Sequence, residues 1–414
     1  MGAHRLQSLE GEVKSTSAQK APDRSPGLSD PLSEPSNTDL YGHLYSARPC
    51  CAYRPRRGLS IPSITVLDPG GRVIEEEQRR VFRFNAQSGY GADIIFAAGT
   101  TGEWNRISND QRQRLIEIEV DEVRRVNQEI AARGLTPVEA WAGVTAPRRA
   151  ETIENLNYAA TVGADAAVIA PLSIHGLPDM VSFFQRDVSD LFDRLGKSLP
   201  IYLYDNADIA ADPRVPHIKT RDVKRLSRLQ FISGVKVSAP RRVLGNYTKG
   251  ALHFKDKGEF GVYIGDAMLI FQVFRMEQGL IGTAREYWNR YLLHNELPIG
   301  VVAGPANALP REWQRAWRAC YAGDDRLIAA YRPAFERFTS ACSFLSGGKP
   351  TDKTIACLKL ALQIEGVIDT RGVAPGTPCL TEPEAQRFAE SFSEIKDDLA
   401  RLTDPIWISS ANKD

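Results

Sequence analysis

Eight short apolar runs recur along the chain at crossover-length spacing, and that spacing restricts the fold more than any other feature. They begin near Ser60, Asp93, Val138, Ala166, Pro200, Phe231, Phe260 and Gly300, at intervals of 33, 45, 28, 34, 31, 29 and 40 residues. Antiparallel neighbours can be joined by a tight turn, whereas parallel neighbours need a crossover of about a dozen residues or more, usually a helix. Each interval here holds one strand, one amphipathic helix and two loops. Eight such units predict an α/β chain folded as a (β/α)8 TIM barrel.

Local signals agree with that frame. Ser108 is placed to N-cap a helix, with Gln111 as its capping-box partner. Asp179 is placed to begin another helix, carrying Met180, Phe183, Phe184 and Val188. Gly91-Ala92-Asp93 and Gly163-Ala164-Asp165 read as the same joint used twice, a glycine helix end followed by a strand. After the eighth strand, helices are expected over 311–322, 325–344, 352–364 and 382–401, with an additional one near 284–293. The barrel is therefore assigned to residues 58–322 and a C-terminal helical extension to 323–405. Residues 1–57 are rich in Ser, Pro, Asp, Glu and Lys, as in Ser25-Pro26-Gly27-Leu28-Ser29-Asp30-Pro31. Such a segment buries too little apolar surface to fold and is expected to be a disordered or loosely draped extension.

Composition removes several function classes. Lys and Arg total 52 against 51 Asp and Glu, a net charge of +1 that speaks against nucleic-acid or anionic-membrane partners. No apolar run reaches the roughly 18–20 residues that cross a bilayer, and the N-terminus lacks a secretory apolar core. Cys50, Cys51, Cys320, Cys342, Cys357 and Cys379 form no CxxC pair and read as free thiols of a cytoplasmic protein. The six histidines fall into no ligand grouping, so neither a metal nor another cofactor is expected.

Barrel enzymes carry their chemistry where strands end and βα loops begin. The sixth strand, Phe231-Ile232-Ser233-Gly234-Val235-Lys236-Val237-Ser238, ends on a lysine. An ammonium in an apolar strand is costly unless it is paired or used. Lys236 is either a Schiff-base former, whose desolvation favours the nucleophilic neutral amine, or a strand-end lysine that snorkels to solvent. The second strand runs into Gly99-Thr100-Thr101-Gly102-Glu103, a turn with hydroxyls and backbone N–H groups suited to a carboxylate, or a plain turn. Tyr204 closes the fifth strand, where it either plugs the barrel mouth or passes protons beside Lys236. Gly265-Asp266 and Gly300-Val301-Val302-Ala303-Gly304 end the seventh and eighth strands, their glycines leaving room for a ligand. Asp266 is equally a solvated loop residue.

These residues, taken in order, resemble the dihydrodipicolinate synthase / N-acetylneuraminate lyase superfamily. The likeness extends over about residues 58–400, including Pro350, Leu358-Lys359 and Gly366. It implies a (β/α)8 barrel with C-terminal helices, a homo-oligomer (dimer or tetramer), and a metal-independent class I lyase or aldolase acting on a 2-oxo acid such as pyruvate. By that likeness Lys236 forms the imine and Tyr204 shuttles protons. Thr100 and Thr101 hold the carboxylate, and Gly265 and Val302 line the pocket.

Two segments depart from the synthase pattern. Ala170-Pro171-Leu172-Ser173 stands where the synthases carry a tyrosine pair, and Tyr204-Asp205-Asn206-Ala207-Asp208-Ile209 lacks their arginine. Adding Asp205 and Asp208 disfavours an anionic second substrate, so Asp205 joins the expected substrate contacts and true synthase activity is not expected. His175 either contacts a substrate hydroxyl or lies in a surface loop. Beside the lyase/aldolase reading stand a hydro-lyase acting on a keto-deoxy sugar acid and a barrel that binds a keto acid without turnover.

Overall fold

The computed structural model describes residues 53–251, 253–254, 260–274 and 298–402. The expected extension therefore lies outside the described residues except for 53–57, and so does the expected helix near 284–293.

Eight strands close a parallel barrel in sequence order: β1 (Gly58–Pro62), β2 (Ile94–Ala97), β3 (Glu139–Gly143), β4 (Ala166–Ile169), β5 (Ile201–Asn206), β6 (Ile232–Ser238), β7 (Gly261–Ile264) and β8 (Gly300–Val302). Every strand begins within one residue of its expected onset except β1, which begins two residues earlier. Closure is made by Gly58, Leu59 and Ser60 pairing with Gly300, Val301 and Val302. Between strands run α1 (Glu75–Ala86), α2 (Asn109–Ala131) and α3 (Arg149–Val162), then α4 (Met180–Ser182), a π-helical turn (Phe183–Val188) and α5 (Ser189–Leu195). The later crossovers hold α6 (Thr220–Leu226), α7 (Arg241–Ala251) and α8 (Ile270–Val273).

The cap signals hold in part. Ser108 accepts from the Gln111 N–H at 3.4 Å, but the Gln111 side chain turns away to accept from Val73 N–H, so the capping box is half formed. Asp179 caps its helix through Val181 N–H. The repeated joint is real at the carboxylate, not at the glycine. Asp93 accepts from Leu59 N–H and Asp165 from Ala140 N–H, both at 2.8 Å, each stitching a strand onto its predecessor. Gly163 ends α3 with φ +85°, whereas α1 ends earlier, at Gln87 in the left-handed region. Gly91 instead lets the chain pass close to the Asn85 carbonyl.

The barrel interior is aromatic toward the N-terminal ends of the strands. Trp141 stacks on Tyr202 at 3.9 Å, and Tyr263 meets both rings edge-on. Residues 53–57 close this floor, with the Tyr53 hydroxyl bonded to Glu139 and Tyr202 and the Arg56 carbonyl accepting from Tyr263. Packed rings fill the bottom of the barrel, so a ligand can enter only from the other end.

The C-terminal region comprises α9 (Pro310–Ala322), α10 (Asp325–Ala341), a hairpin of β9 (Ser343–Ser346) and β10 (Lys349–Asp352), α11 (Thr354–Ile364) and α12 (Glu382–Leu402). The hairpin was not expected; it ends α10 before Phe344 and turns through Gly347 and Gly348, both at positive φ. From α11, Lys359 reaches the loop after β2 and pairs with Glu103 at 2.7 Å, both side chains fully buried. Glu103 also accepts from Ala374 N–H and from the Thr377 hydroxyl, and Lys359 donates to the Gly372 carbonyl.

Two stability predictions follow from buried charge. Lys359→Met leaves the Glu103 carboxylate buried without its cation, and urea denaturation should read a loss of about 3–5 kcal/mol; wild-type stability would show that the pair contributes nothing. Glu119 is wholly enclosed between α2 and the barrel, with one oxygen accepting from Ala97 N–H and the other without a partner. Burial pushes its carboxyl well above the ordinary 4.5. The stability this group contributes is therefore present below that ordinary value and is lost as pH rises through the elevated one. Glu119→Gln should gain on wild type by about 1.4 kcal/mol per pH unit across that window. A difference in melting temperature that does not change with pH would refute this.

Candidate active site

Strand alternation decides which side chains share the open end of the barrel. On β5, Tyr202 and Tyr204 point inward; on β6, Lys236 does so, and the register sets Tyr204 beside Lys236 and Lys236 beside Tyr263. Lys236 is 5% exposed. Its Nζ lies 4.0 Å from the Tyr204 ring centre and 5.1 Å from that of Phe96. Among the described residues no carboxylate pairs with it. Aromatic faces thus receive the charge in place of an ion pair.

The Tyr204 hydroxyl is the hub. It lies 3.2 Å from Thr100 Oγ1 and accepts from Asn206 Nδ2 at 3.1 Å, with the Ser238 hydroxyl also against it. Burial by itself would raise this phenol. The Lys236 charge, together with the hydrogen bonds from Thr100, Ser238 and Asn206, outweighs burial and holds it below the ordinary tyrosine value. A phenol so placed exchanges a proton with a neighbouring amine more readily than a free tyrosine does.

The threonine turn is a tight, strained structure. Ala98 and Glu103, on either side of Gly99–Gly102, both sit in the left-handed region at φ +52° and +57°. That conformation costs an L-residue about 1–2 kcal/mol. The turn is closed by Glu103 N–H to the Thr100 carbonyl and by Thr65 Oγ1 to the Gly102 carbonyl. The N–H groups of Thr100 and Thr101 have no acceptor among the described residues, which leaves two donors for an anion. Thr101 sits against the end of β8, with its Oγ1 3.3 Å from where a β-carbon at Gly304 would stand.

Lys236, Tyr204 and Thr100 therefore meet, with Thr101 and the buried Val302 on the wall toward β8. Asp205 and His175 stand apart from that meeting point. Asp205 follows Tyr204 and so faces the helix layer. There it is held by His217 Nδ1 at 3.1 Å, by Ile218 N–H and by the Tyr247 hydroxyl, and cannot touch a ligand beside Lys236. His175 is exposed in the loop after β4, where its backbone N–H donates to the Pro147 carbonyl. Gly265 and Gly300 make room for protein atoms. A β-carbon on Gly265 would strike the Ser238 hydroxyl, and one on Gly300 would strike the Tyr263 ring.

Asn206 and Ser238 were not foreseen. Each lies two residues beyond an expected catalytic position, on the same strand and the same face, and that parity was available as a signal.

Comparison with known proteins agrees with this architecture. Over 343 residues the chain is 29% identical to the 4-hydroxy-tetrahydrodipicolinate synthase of Phenylobacterium zucineum, covering 80% of this chain and 94% of that one. It spans only 33% and 53% of the length of two other curated relatives that it matches. The dihydrodipicolinate synthase of Bacteroides thetaiotaomicron superposes with a TM-score of 0.64 at 19% identity, over 83% of this chain and 99% of the other. A prophage protein of the dihydrodipicolinic acid synthase family from E. coli K12, solved in complex with pyruvate, gives 0.62 at 18%, over 82% and 98%. Residues 55–284 match the model of the dihydrodipicolinate synthetase family. This chain, more than half of which that model spans, belongs to the dihydrodipicolinate synthetase family.

Proposed function

We propose that this protein is a Schiff-base-forming lyase or aldolase acting on a 2-oxo acid of the pyruvate type. One observation carries the reading: a buried strand lysine with no carboxylate partner among the described residues, packed on a tyrosine whose hydroxyl reaches the threonine turn. Support also comes from family membership and from the pyruvate complex of the E. coli K12 relative.

The steps balance with residues of this chain alone. The substrate carboxylate docks on the free N–H groups and hydroxyls of Thr100 and Thr101, which sets C2 within reach of Lys236. Once the Lys236 ammonium has released its proton to solvent, the amine lone pair forms the N–C2 bond while the carbonyl π pair moves to oxygen, which takes the Tyr204 proton. The nitrogen then returns a proton through Tyr204 to the new hydroxyl, and water leaves. The protonated imine that remains is an electron sink. When the C3–C4 bond of a 4-hydroxy-2-oxo acid breaks, its electron pair flows into that sink. The 4-hydroxyl proton goes to the Tyr204 phenolate, giving an aldehyde and an enamine.

The synthase reaction itself is not proposed. The segment after Tyr204 presents Asn206 to the cavity and carries an exposed Asp208 and a half-buried Ile209. None of these offers a cation to a second anionic substrate.

Borohydride reduction in the presence of pyruvate should leave a stable adduct that peptide mass spectrometry locates on Lys236. Lys236→Ala should abolish it while circular dichroism stays unchanged; an adduct on another lysine, or none in the wild type, would overturn the mechanism. Tyr204→Phe should keep the fold and lower turnover by about 10²–10⁴-fold. Undiminished turnover would show that the phenol only packs.

A further inference from the structure

Asn206 ends β5 and at the same time caps the short 3₁₀ turn Ala207–Ile209. Its Oδ1 accepts from Asp208 N–H at 3.0 Å, and this fixes which way round the amide sits. Nδ2 is then directed at the Tyr204 hydroxyl, 3.1 Å away. An amide N–H can donate but never accept. The Tyr204 oxygen must therefore act as the acceptor in that bond, and its own hydrogen must lie elsewhere. The remaining neighbours of the oxygen are Thr100, Ser238 and the space above Lys236.

We infer that Asn206 is a positioning residue: by donating to the Tyr204 oxygen it aims the phenolic hydrogen at Thr100 and the substrate, and it supports the phenolate left when that hydrogen departs. Among the groups facing the phenol, Lys236 of β6 carries charge, while Thr100 after β2, Ser238 of β6, Asn206 of β5 and the Phe96 ring of β2 are neutral. Asp205 faces the opposite side of the strand, with His217 and Tyr247. The oxygen can thus receive three neutral hydrogen-bond donors beside one cation, the surroundings a phenolate needs. Of the three neutral donors, Thr100 and Ser238 are hydroxyls that can also accept, whereas the Asn206 amide N–H can only donate. The lowered phenol is in keeping with that arrangement.

The kinetic part of this inference rests on the Schiff-base reading; the titration part does not. Asn206→Asp separates positioning from structure, because a carboxylate still caps Asp208 N–H but offers Tyr204 an acceptor instead of a donor. In unliganded protein, the Tyr204 titration is the ultraviolet phenolate signal lost on adding Tyr204→Phe. Asn206→Asp should move it upward by at least about one pH unit, with the melting temperature unchanged. With pyruvate and borohydride, the adduct should form about 10- to 100-fold more slowly at neutral pH, a lower share than the whole acid/base group contributes. The pyruvate concentration giving half-maximal trapping should stay within about twofold, since the threonine turn is untouched. A phenol titration that stays in place would overturn the inference, even if trapping slowed. Absence of any adduct in the wild type would instead remove the Schiff-base reading and leave the titration to decide this one.

Discussion

The buried Glu103–Lys359 ion pair joins the end of the threonine turn to the C-terminal helices. Both charges are removed from water, and each finds several partners in exchange: three donors on the carboxylate, and a carboxylate and a carbonyl on the ammonium. The carboxylate belongs to a residue held at positive φ at the end of the threonine turn. Strain of that kind persists where the surroundings over-determine the backbone. The C-terminal helices thus act as the clamp that keeps Thr100 facing Tyr204. That gives a physical reason why this barrel does not end with its eighth strand and closing helix.

The barrel floor supplies the second constraint. Trp141, Tyr202 and Tyr263 occupy the interior, with Gly234 and Gly300 leaving space for the rings and Tyr53 sealing them from below. That packing leaves the upper end for a ligand, where the apolar layer gives way to Lys236, Tyr204 and the threonine turn. A lysine standing on a sealed aromatic layer meets solvent from one direction only. Desolvation and access are therefore set by the same packing.

The parts of this design that were legible in the sequence are those governed by local periodicity. Parallel strands require crossovers of similar length, so the strand onsets could be read from apolar runs. Lys236, Tyr204 and the Gly99-Thr100-Thr101-Gly102 turn stood out because polar groups at strand ends interrupt that pattern. What was missed depends on parity or on distance. Composition alone puts Asp205 in the pocket, but alternate residues of a strand face opposite ways, and the inner face belongs to Asn206. The Glu103–Lys359 pair spans 256 residues, and no local signal announces it. The β9–β10 hairpin interrupts a helical pattern that continues past it in composition.

Parity has an electrostatic consequence as well. Tyr204 and Asp205 are neighbours in the chain, yet they experience opposite surroundings. Burial drives the Asp205 carboxyl above its ordinary value, with His217 pulling the other way, whereas at Tyr204 the Lys236 charge and three hydrogen bonds overcome burial. Were Asp205 on the inner face, its carboxylate would pair with Lys236, hold the ammonium in its charged form and raise the phenol beside it. Keeping the acid on the helix side leaves the phenol beside the amine with neutral donors around its oxygen, as the proposed proton exchange requires. The proposed chemistry, which starts from a neutral amine beside a protonated phenol and leaves a phenolate, is served by excluding carboxylates from that face.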